Sequence, residues 1–401
     1  QLRTPTFQTG NTAPQRQIAA LDGEVAFNVA ANGNATRASE AVARDRRLEL
    51  RHHPIGIMRA AWAPGARVTL DGQDGGRDRL RVQSGNDSFE LLVDRTTHLP
   101  AAVRTRSANA NLGDVTIETA FEEYGDAGGM RLPMRLITRV DRYTTANIQL
   151  TGAELDASAG DLAAPEAVRS AQPPAAPAVN VTVEDIAPGV WYLTGGSHHS
   201  VLVEFADHLM LIETPQNEAR TQAVIAKAKE HRPGKPLRFA VNTHHHFDHS
   251  GGVRAAIAEG LTVVTHEGNA QFYRDVAGRA HTITPDALAR NRRAPQIQTV
   301  PGRRVFQDAT RTVELHALQG NAHSRSMLVA YLPTEGLLVQ ADLYAPPAAN
   351  APTPPPPAVF APNLIENVRR LNLRVERVVG IHGRVVPFAE VEAAAAAAAG
   401  G

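Results

Sequence analysis

The chain has no cysteine among its 401 residues. This absence excludes disulfide bonds, thiolate metal ligands and a cysteine nucleophile. No apolar run is long enough to span a bilayer, so no membrane span is expected. The chain begins at Gln1 without a methionine or a hydrophobic leader, which leaves open a form whose signal peptide has been removed. We therefore expect a periplasmic or secreted protein, with a cytoplasmic location as the alternative.

Net charge is also absent, because 41 basic residues balance 41 acidic ones. This balance argues against a large nucleic-acid surface or a strongly anionic membrane partner, so we expect a small-molecule substrate. Apolar residues make up 43% of the chain and charged residues 20%, as in ordinary soluble proteins. A length of 401 residues favours two or three domains over one. The balance does not indicate the oligomeric state.

The distribution of strands, prolines and helices predicts two domains and a linker. Short alternating stretches joined by turns, such as "DRLRVQSGNDSFELLVD", predict a β-rich domain over residues 1–156. The Ala/Pro-rich residues 157–178 predict a linker, and a second Pro-rich run over 345–358 predicts a surface excursion. Residues 179–401 alternate strands and helices, which predicts an α/β domain whose sheets are buried on both sides. The "RHHP" stretch at Arg51–Pro54 is interpreted as a surface loop, and the alanine-rich tail is expected to fray.

The stretch "NTHHHFDHSGG" is the most informative in the chain. A predicted strand ends at Thr243, so His244 and His246 can point the same way in an extended loop. Asp248 and His249 follow at once and can turn towards a second point. Imidazole nitrogen and carboxylate oxygen are zinc ligands, and four of them in six residues are too many for one tetrahedral ion that keeps a position open for water. The spacing therefore predicts two adjacent metals.

Three later residues end predicted apolar strands or connect them: His323 in "GNAHSRS", Asp342 in "VQADLY" and His382 in "VGIHG". A charged or imidazole side chain at the end of a buried strand is costly unless it is paired or bound to a metal. These positions supply the further ligands that two metals require. His245 is expected to face away from them.

With these motifs, the chain from residue 181 to about residue 390 resembles the metallo-β-lactamase-fold superfamily of metallohydrolases. The resemblance implies an αββα sandwich, preceded here by the separate β-rich domain, with two Zn²⁺ at one edge of the sheets. It implies that the first metal is bound by His244, His246 and His323, the second by Asp248, His249 and His382, and that Asp342 bridges both. Other divalent metals are possible. The N-terminal segment, with "VDRTTHLPAAVRTRS", resembles the half-barrel of lipoprotein-carrier proteins.

Two metals can share a bridging hydroxide that attacks an electrophilic carbon, phosphorus or sulfur atom. We therefore expect hydrolysis of an ester, lactone, thioester or related small-molecule bond, with Asp248 and Asp342 as catalytic residues. Dedicated β-lactamases of the family generally lack the bridging aspartate, so β-lactam amide hydrolysis is an alternative. An iron-dependent oxidoreductase on the same fold and a protein that binds an apolar ligand are further alternatives.

Three side chains near the predicted ligands are candidates to contact a substrate oxygen: Tyr344, His198 and His199. Each is equally compatible with an ordinary loop residue. One position departs from the family pattern, because Glu213 in "LIETP" stands where the family usually has aspartate. This departure puts the groups that orient the ligands in doubt, but not the ligands themselves.

Overall fold

The structure is a computed structural model that describes residues 2–3, 15–16, 18–158, 162–176, 178–347 and 358–399. The chain divides into two compact units: most described residues before 178 belong to the first, and residues from 178 onwards, together with 110–113, belong to the second. Each unit is described separately below. Among the described residues, no helix is both long enough and apolar enough to cross a membrane.

The described residues of the first unit form three sheets and three helices. A two-stranded pair precedes a three-stranded antiparallel sheet, two helices, a seven-stranded sheet and a short third helix. In chain order these elements are β1 (Leu2–Arg3), β2 (Gln15–Arg16), β3 (Ile18–Asp22), β4 (Val25–Val29), β5 (Ala35–Arg37), α1 (Glu40–Arg51), α2 (Pro54–Ala61), β6 (Arg67–Asp74), β7 (Arg77–Ser84), β8 (Asp87–Asp94), β9 (Pro100–Asn109), β10 (Gly113–Ala127), β11 (Met130–Val140), β12 (Tyr143–Gln149) and α3 (Glu166–Ser170).

The seven-stranded sheet follows the chain from β6 to β12 without a crossover, which confirms the β-rich prediction for this segment. Ile57 and Ala60 of α2 pack against apolar side chains of the sheet, among them Phe89 and Phe121. These contacts bury one face of the sheet, as an antiparallel sheet requires. The resemblance to lipoprotein-carrier proteins stays a prediction.

The prediction of a surface loop at "RHHP" was wrong for His52. This residue ends α1, is buried, and its Nδ1 lies 3.1 Å from the Thr119 hydroxyl. Burial lowers the pKa of His52 to about 4, so the ring is neutral at physiological pH. His53 caps α2 by accepting a hydrogen bond from the Ile55 N–H. The two histidines therefore join two helices, a role that their isolated position in the sequence did not indicate.

Part of the predicted linker is ordered against the first unit. Val168 of α3 is buried together with Ala164 and Phe27, and the Ala164 N–H donates to Asp22. The exact boundary between the two domains stays a prediction. Residues 348–357 of the second Pro-rich run, which was predicted as a surface excursion, lie outside the described residues.

The described part of the second unit forms two mixed sheets. The first sheet has the order β13 to β19, antiparallel up to β16 and parallel from there on. Its elements and the helices between them are β13 (Thr182–Ala187), β14 (Val190–Thr194), β15 (Ser200–Glu204), β16 (Leu209–Ile212), α4 (Glu218–His231), β17 (Leu237–Val241), α5 (Phe247–Ser250), α6 (Val253–Ala258), β18 (Thr262–His266), a 3₁₀ turn (Glu267–Asn269), α7 (Ala270–Gly278), α8 (Ala287–Arg290) and β19 (Ile297–Val300).

The second sheet has the order β20 to β25, and only β23 and β24 are parallel neighbours in it. Its elements and two helices are β20 (Arg303–Gln307), β21 (Thr312–Ala317), β22 (Leu328–Leu332), β23 (Leu337–Gln340), α9 (Ala361–Arg370), β24 (Arg377–Gly380), β25 (Val385–Pro387) and α10 (Phe388–Ala399).

The two sheets of this unit pack face to face, and helices cover both outer faces. Val241 and Val264 of the first sheet share one buried cluster with Val339 and Val379 of the second. Helix α4 covers the outside of the first sheet, and α9 and α10 cover the outside of the second. This four-layer αββα arrangement confirms the predicted fold class.

The expectation that the tail frays was wrong as far as Ala399. Val391 is fully buried and Ala395 nearly so, and both pack with α9 against the second sheet. Alanine has the highest helix propensity, so a run of alanines with two inward positions forms a covering helix here.

Candidate metal centre

The predicted ligands meet at one edge of the second unit, where strands end. Loops after β17, β23 and β24 carry His244, Asp342 and His382, and the loop between β21 and β22 carries His323. Because β23 and β24 are parallel neighbours, their carboxyl ends bring Asp342 and His382 to the same edge.

The first group of candidate ligand atoms comes from His244, His246, His323 and Asp342, and all of these atoms lie within 4.8 Å of one another. The Nε2 atoms of His244 and His323 are 3.3 Å apart. The Asp342 Oδ2 atom is 3.1 Å from the first of these nitrogens and 3.0 Å from the second. The structure thus brings together the three histidines that were predicted to share one metal.

The second group comes from His198, Asp248, His249 and His382, also within 4.8 Å of one another. The Nε2 atoms of His249 and His382 are 3.3 Å apart. Asp248 Oδ2 lies 3.6 Å from His249 Nε2. Three of these residues were predicted as ligands, whereas His198 was predicted as a substrate contact.

Asp342 lies between the two groups. Its Oδ2 atom contacts His249 of the second group at 2.9 Å in addition to the two histidines of the first. Its Oδ1 atom is 2.8 Å from His382 Nε2. The residue has a φ of 61°, a left-handed conformation that costs a non-glycine residue about 1–2 kcal/mol. The carboxylate therefore occupies the position expected of a bridging ligand.

The donor set fits divalent metal ions. Two imidazole pairs bring their Nε2 atoms to 3.3 Å from each other. Ligands at about 2.0–2.1 Å from a tetrahedral zinc ion are about 3.3–3.4 Å apart, which agrees with this spacing. Imidazole and carboxylate donors without thiolate suit zinc and other first-row divalent metals.

Glu213 orients His249 and the start of the histidine loop. It is fully buried after β16, its Oε2 accepts a hydrogen bond from His249 Nδ1 at 2.7 Å, and its Oε1 accepts one from the Thr243 N–H at 2.6 Å. The hydrogen bond from Nδ1 fixes the His249 ring and directs its Nε2 to the centre. The departure from aspartate at this position, which had put the orienting groups in doubt, leaves them intact.

Two further buried groups, which were not predicted, fix the histidine loop. The Asn242 side-chain amide donates to the His249 carbonyl at 2.7 Å, and the Tyr273 hydroxyl donates to the His244 carbonyl at 2.9 Å. Asn242 lies next to the motif and could have been suspected from its position. Tyr273 belongs to α7, 29 residues from His244, and nothing in its surroundings indicates the role.

The two carboxylates of the centre have lowered pKa values and carry negative charge that favours cations. Burial alone would raise the pKa of Asp342, but hydrogen bonds from four histidines hold it far below its usual range. A hydrogen bond from His198 is the largest cause that lowers the pKa of Asp248. Both carboxylates are therefore ionised at any physiological pH.

The histidines differ in protonation. Burial lowers the pKa of His246 to about 4. Burial also acts to lower the pKa of His249, but hydrogen bonds to Asp342 and Glu213 outweigh it and raise this pKa to about 10. In the metal-free protein, His249 therefore carries a proton that a metal must displace.

Two of the three predicted substrate contacts belong to neither group. The His199 ring is buried and lies 4.7 Å from the Tyr192 ring. The Tyr344 hydroxyl donates a hydrogen bond to a Glu390 carboxylate oxygen at 3.0 Å. Burial, and after it the hydrogen bond to this carboxylate, raises the pKa of Tyr344 to about 12. Their role towards a substrate stays a prediction. His245 also lies outside both groups, with its ring 5.6 Å from Phe272.

Residues 193–338 match the family described as the metallo-beta-lactamase superfamily. This match confirms, for these residues, the resemblance predicted from the motifs. The matched residues include the histidine motif and His323. Asp342 and His382 lie beyond them and are placed at the centre by the geometry described above.

Several solved structures similar to the chain are described as metallo-beta-lactamases. One from Pontibacter korlensis is 20% identical with a TM-score of 0.43, and the match covers 55% of this chain and 100% of that one. One from Hirschia baltica is 18% identical with a TM-score of 0.41, over 54% and 96% of the two chains. The FIM-1 enzyme from Pseudomonas aeruginosa, in its mono-zinc form, is 20% identical with a TM-score of 0.40, over 55% and 96%. No curated protein matches the chain.

Proposed function

We propose that the protein is a dinuclear metal-dependent hydrolase, with zinc as its metal, that cleaves an ester, lactone or thioester bond of a small molecule. The observation that carries the proposal is the position of Asp342 between two groups of imidazole and carboxylate donors. His244, His246 and His323 would bind one metal, and Asp248, His249 and His382 the other. Bound in this way, the metals would polarise a substrate oxygen and lower the pKa of a water molecule.

The side chains of the centre divide into a buried part and an accessible part. The side chains of His244 and His249 are fully buried, and Asp342 is 14% exposed, so these groups hold the centre together. The side chain of Asp248 is 43% exposed and ionised, so it is accessible to a substrate or a water molecule.

Two aromatic side chains border the centre and favour a substrate with an apolar part. Phe360 lies 5.2 Å from the His323 ring, between ring centroids. Phe247, which directly precedes Asp248, is 41% exposed and stacks on Phe272. Apolar walls beside a few polar groups are typical of pockets for small organic ligands. This lining supports a carboxylic ester, lactone or thioester over a highly charged phosphate substrate.

The bridging position of Asp342 also supports this substrate class over β-lactams. In the family, the dedicated β-lactamases generally lack an aspartate at this position. A nitrocefin assay therefore belongs in the test as the competing outcome.

The test is a panel of substrates with the zinc-loaded full-length protein. It contains p-nitrophenyl butyrate, a γ-lactone, an acyl thioester, bis(p-nitrophenyl) phosphate and nitrocefin. We expect hydrolysis of at least one of the first three, its loss on treatment with a chelator, and its return with Zn²⁺. Hydrolysis of only the phosphodiester or only nitrocefin would overturn the proposed substrate class. Iron as the bound metal together with oxygen consumption would overturn the hydrolase itself.

A further inference from the structure

His198 lies in the loop between β14 and β15 and reaches into the second group of donors. Its Nε2 atom is 3.2 Å from Asp248 Oδ2. Its ring lies 4.2 Å from the ring of His382 and 5.4 Å from that of His249, between centroids. His198 thus approaches all three residues that would bind the second metal.

A hydrogen-bond relay on the far side of the ring orients His198. The Gln216 side-chain amide donates to the Ser197 hydroxyl oxygen at 3.0 Å, and this oxygen lies 2.9 Å from His198 Nδ1. The Gln216 amide nitrogen itself lies 3.3 Å from His198 Nδ1. These contacts hold the ring on its Nδ1 side and leave Nε2 directed at the second group of donors.

The Gln216 backbone also binds the histidine loop, which carries Asp248. The Gln216 N–H donates to the Asp248 carbonyl at 2.7 Å, and Gln216 has a φ of 63°, the left-handed conformation that non-glycine residues rarely adopt. The backbone of Gln216 therefore holds Asp248 while its side chain holds Ser197. This arrangement fixes the two loops against each other.

His198 Nε2 lies 3.2 Å from Asp248 Oδ2, and the donor atoms of His198, Asp248, His249 and His382 all lie within 4.8 Å of one another. The spacing is close to the 3.3 Å between His249 and His382, and to the edge of about 3.3–3.4 Å expected around a tetrahedral zinc ion. We propose that His198 is a further ligand of the second metal, beside Asp248, His249 and His382, an inference that rests on the proposed dinuclear function.

The same distance has a second interpretation, in which Nε2 is protonated and donates to Asp248. His198 would then be a positioning residue that orients Asp248 without binding a metal. A glutamine separates the two roles, because its amide nitrogen occupies nearly the place of Nε2 and can donate the hydrogen bond but is a poor metal ligand.

The experiment titrates metal-free full-length protein with Co²⁺ and records the stoichiometry, the affinity of each equivalent and the visible absorption of the bound ion. The variants are His198→Ala and His198→Gln. His231→Gln, a histidine of α4 outside both groups, is the matched control. The first equivalent reports whether each variant is folded, because its donors do not include His198.

We expect both His198 variants to bind the first equivalent as the wild type does and the second at least about tenfold more weakly, since loss of even an outer partner costs 10–100-fold. The spectrum of the second Co²⁺ should change, and added imidazole should restore it in His198→Ala. Wild-type binding of the second equivalent by His198→Gln would overturn the inference in favour of the positioning role. Wild-type binding by both variants would overturn it outright and leave the dinuclear proposal standing, whereas a wild-type protein that binds only one equivalent would refute both.

Discussion

Substitution of Glu213 by glutamine tests how the centre is held. The change keeps the volume of a fully buried side chain but removes its charge. The amide oxygen can still accept from the Thr243 N–H, whereas the amide nitrogen would face the protonated Nδ1 of His249. One charge-assisted hydrogen bond is lost, which costs about 1.5–3 kcal/mol.

The pH dependence of this loss follows from the pKa of His249, which is raised to about 10 in the metal-free protein. A raised pKa contributes stability that is fully present below the unfolded value of about 6.5 and is lost as the pH rises through the folded value. The free-energy difference between wild type and Glu213→Gln should therefore be about 1.5–3 kcal/mol at pH 6 and should shrink at pH 10 and above.

The assay is urea unfolding of the metal-free protein, followed through Trp191. The chain has two tryptophans, so a Trp62→Phe background leaves Trp191, which is buried in the second unit, as the single reporter. Glu230→Gln is the control, because the Glu230 side chain is 71% exposed and its loss should cost less than about 0.5 kcal/mol.

Glu213→Gln should also bind the second metal about 10–100-fold more weakly than the wild type, as measured by competition with a chromophoric chelator. Glu213→Asp keeps the charge on a shorter side chain, so its affinity for the second metal should lie between those of the wild type and Glu213→Gln. An unfolding difference that is equal at pH 6 and pH 10 would refute the claim that Glu213 acts by binding protonated His249.

Three further predictions concern the bridge, the protons and the two units. Asp342→Ala should lower the rate of hydrolysis at least about 10²-fold and should also lower metal occupancy. Tyr344→Phe removes only one hydrogen bond and should change the rate and the occupancy little. Comparable losses in the two variants would mean that Asp342 is not the bridge. Metal binding should release about one proton from His249, measured by calorimetry in buffers of different ionisation enthalpy, and no dependence on the buffer would contradict the raised pKa. A chain that begins near Val179 should fold and bind metal, since every proposed ligand follows that residue; folding by circular dichroism without metal binding would show that the N-terminal domain is part of the site.

The predicted ligands were accessible from the sequence because their spacing follows from strand ends. His244, Asp342 and His382 each come within three residues of the end of a strand, and parallel neighbours end at the same edge of a sheet. The αββα layers followed from the alternation of strands and helices for the same reason.

The orienting groups were harder to predict from the sequence, because they contact the ligands from distant parts of the chain and belong to no motif. Tyr273 reaches His244 from a separate helix, and Gln216 reaches Ser197 across a gap of 19 residues. The contact of His52 in the first unit could not be predicted for the same reason, since only the fold brings its ring to the Thr119 hydroxyl. A periplasmic or secreted location stays a prediction from composition.

The most direct test of the central claim is the number of metal ions bound at saturation. Metal-free full-length protein is dialysed against Zn²⁺, and the bound metal is counted by elemental analysis while ester hydrolysis is followed at each stage of loading. The account predicts two equivalents per chain in the wild type, with activity that continues to rise up to the second. No more than one equivalent under saturating zinc would contradict it.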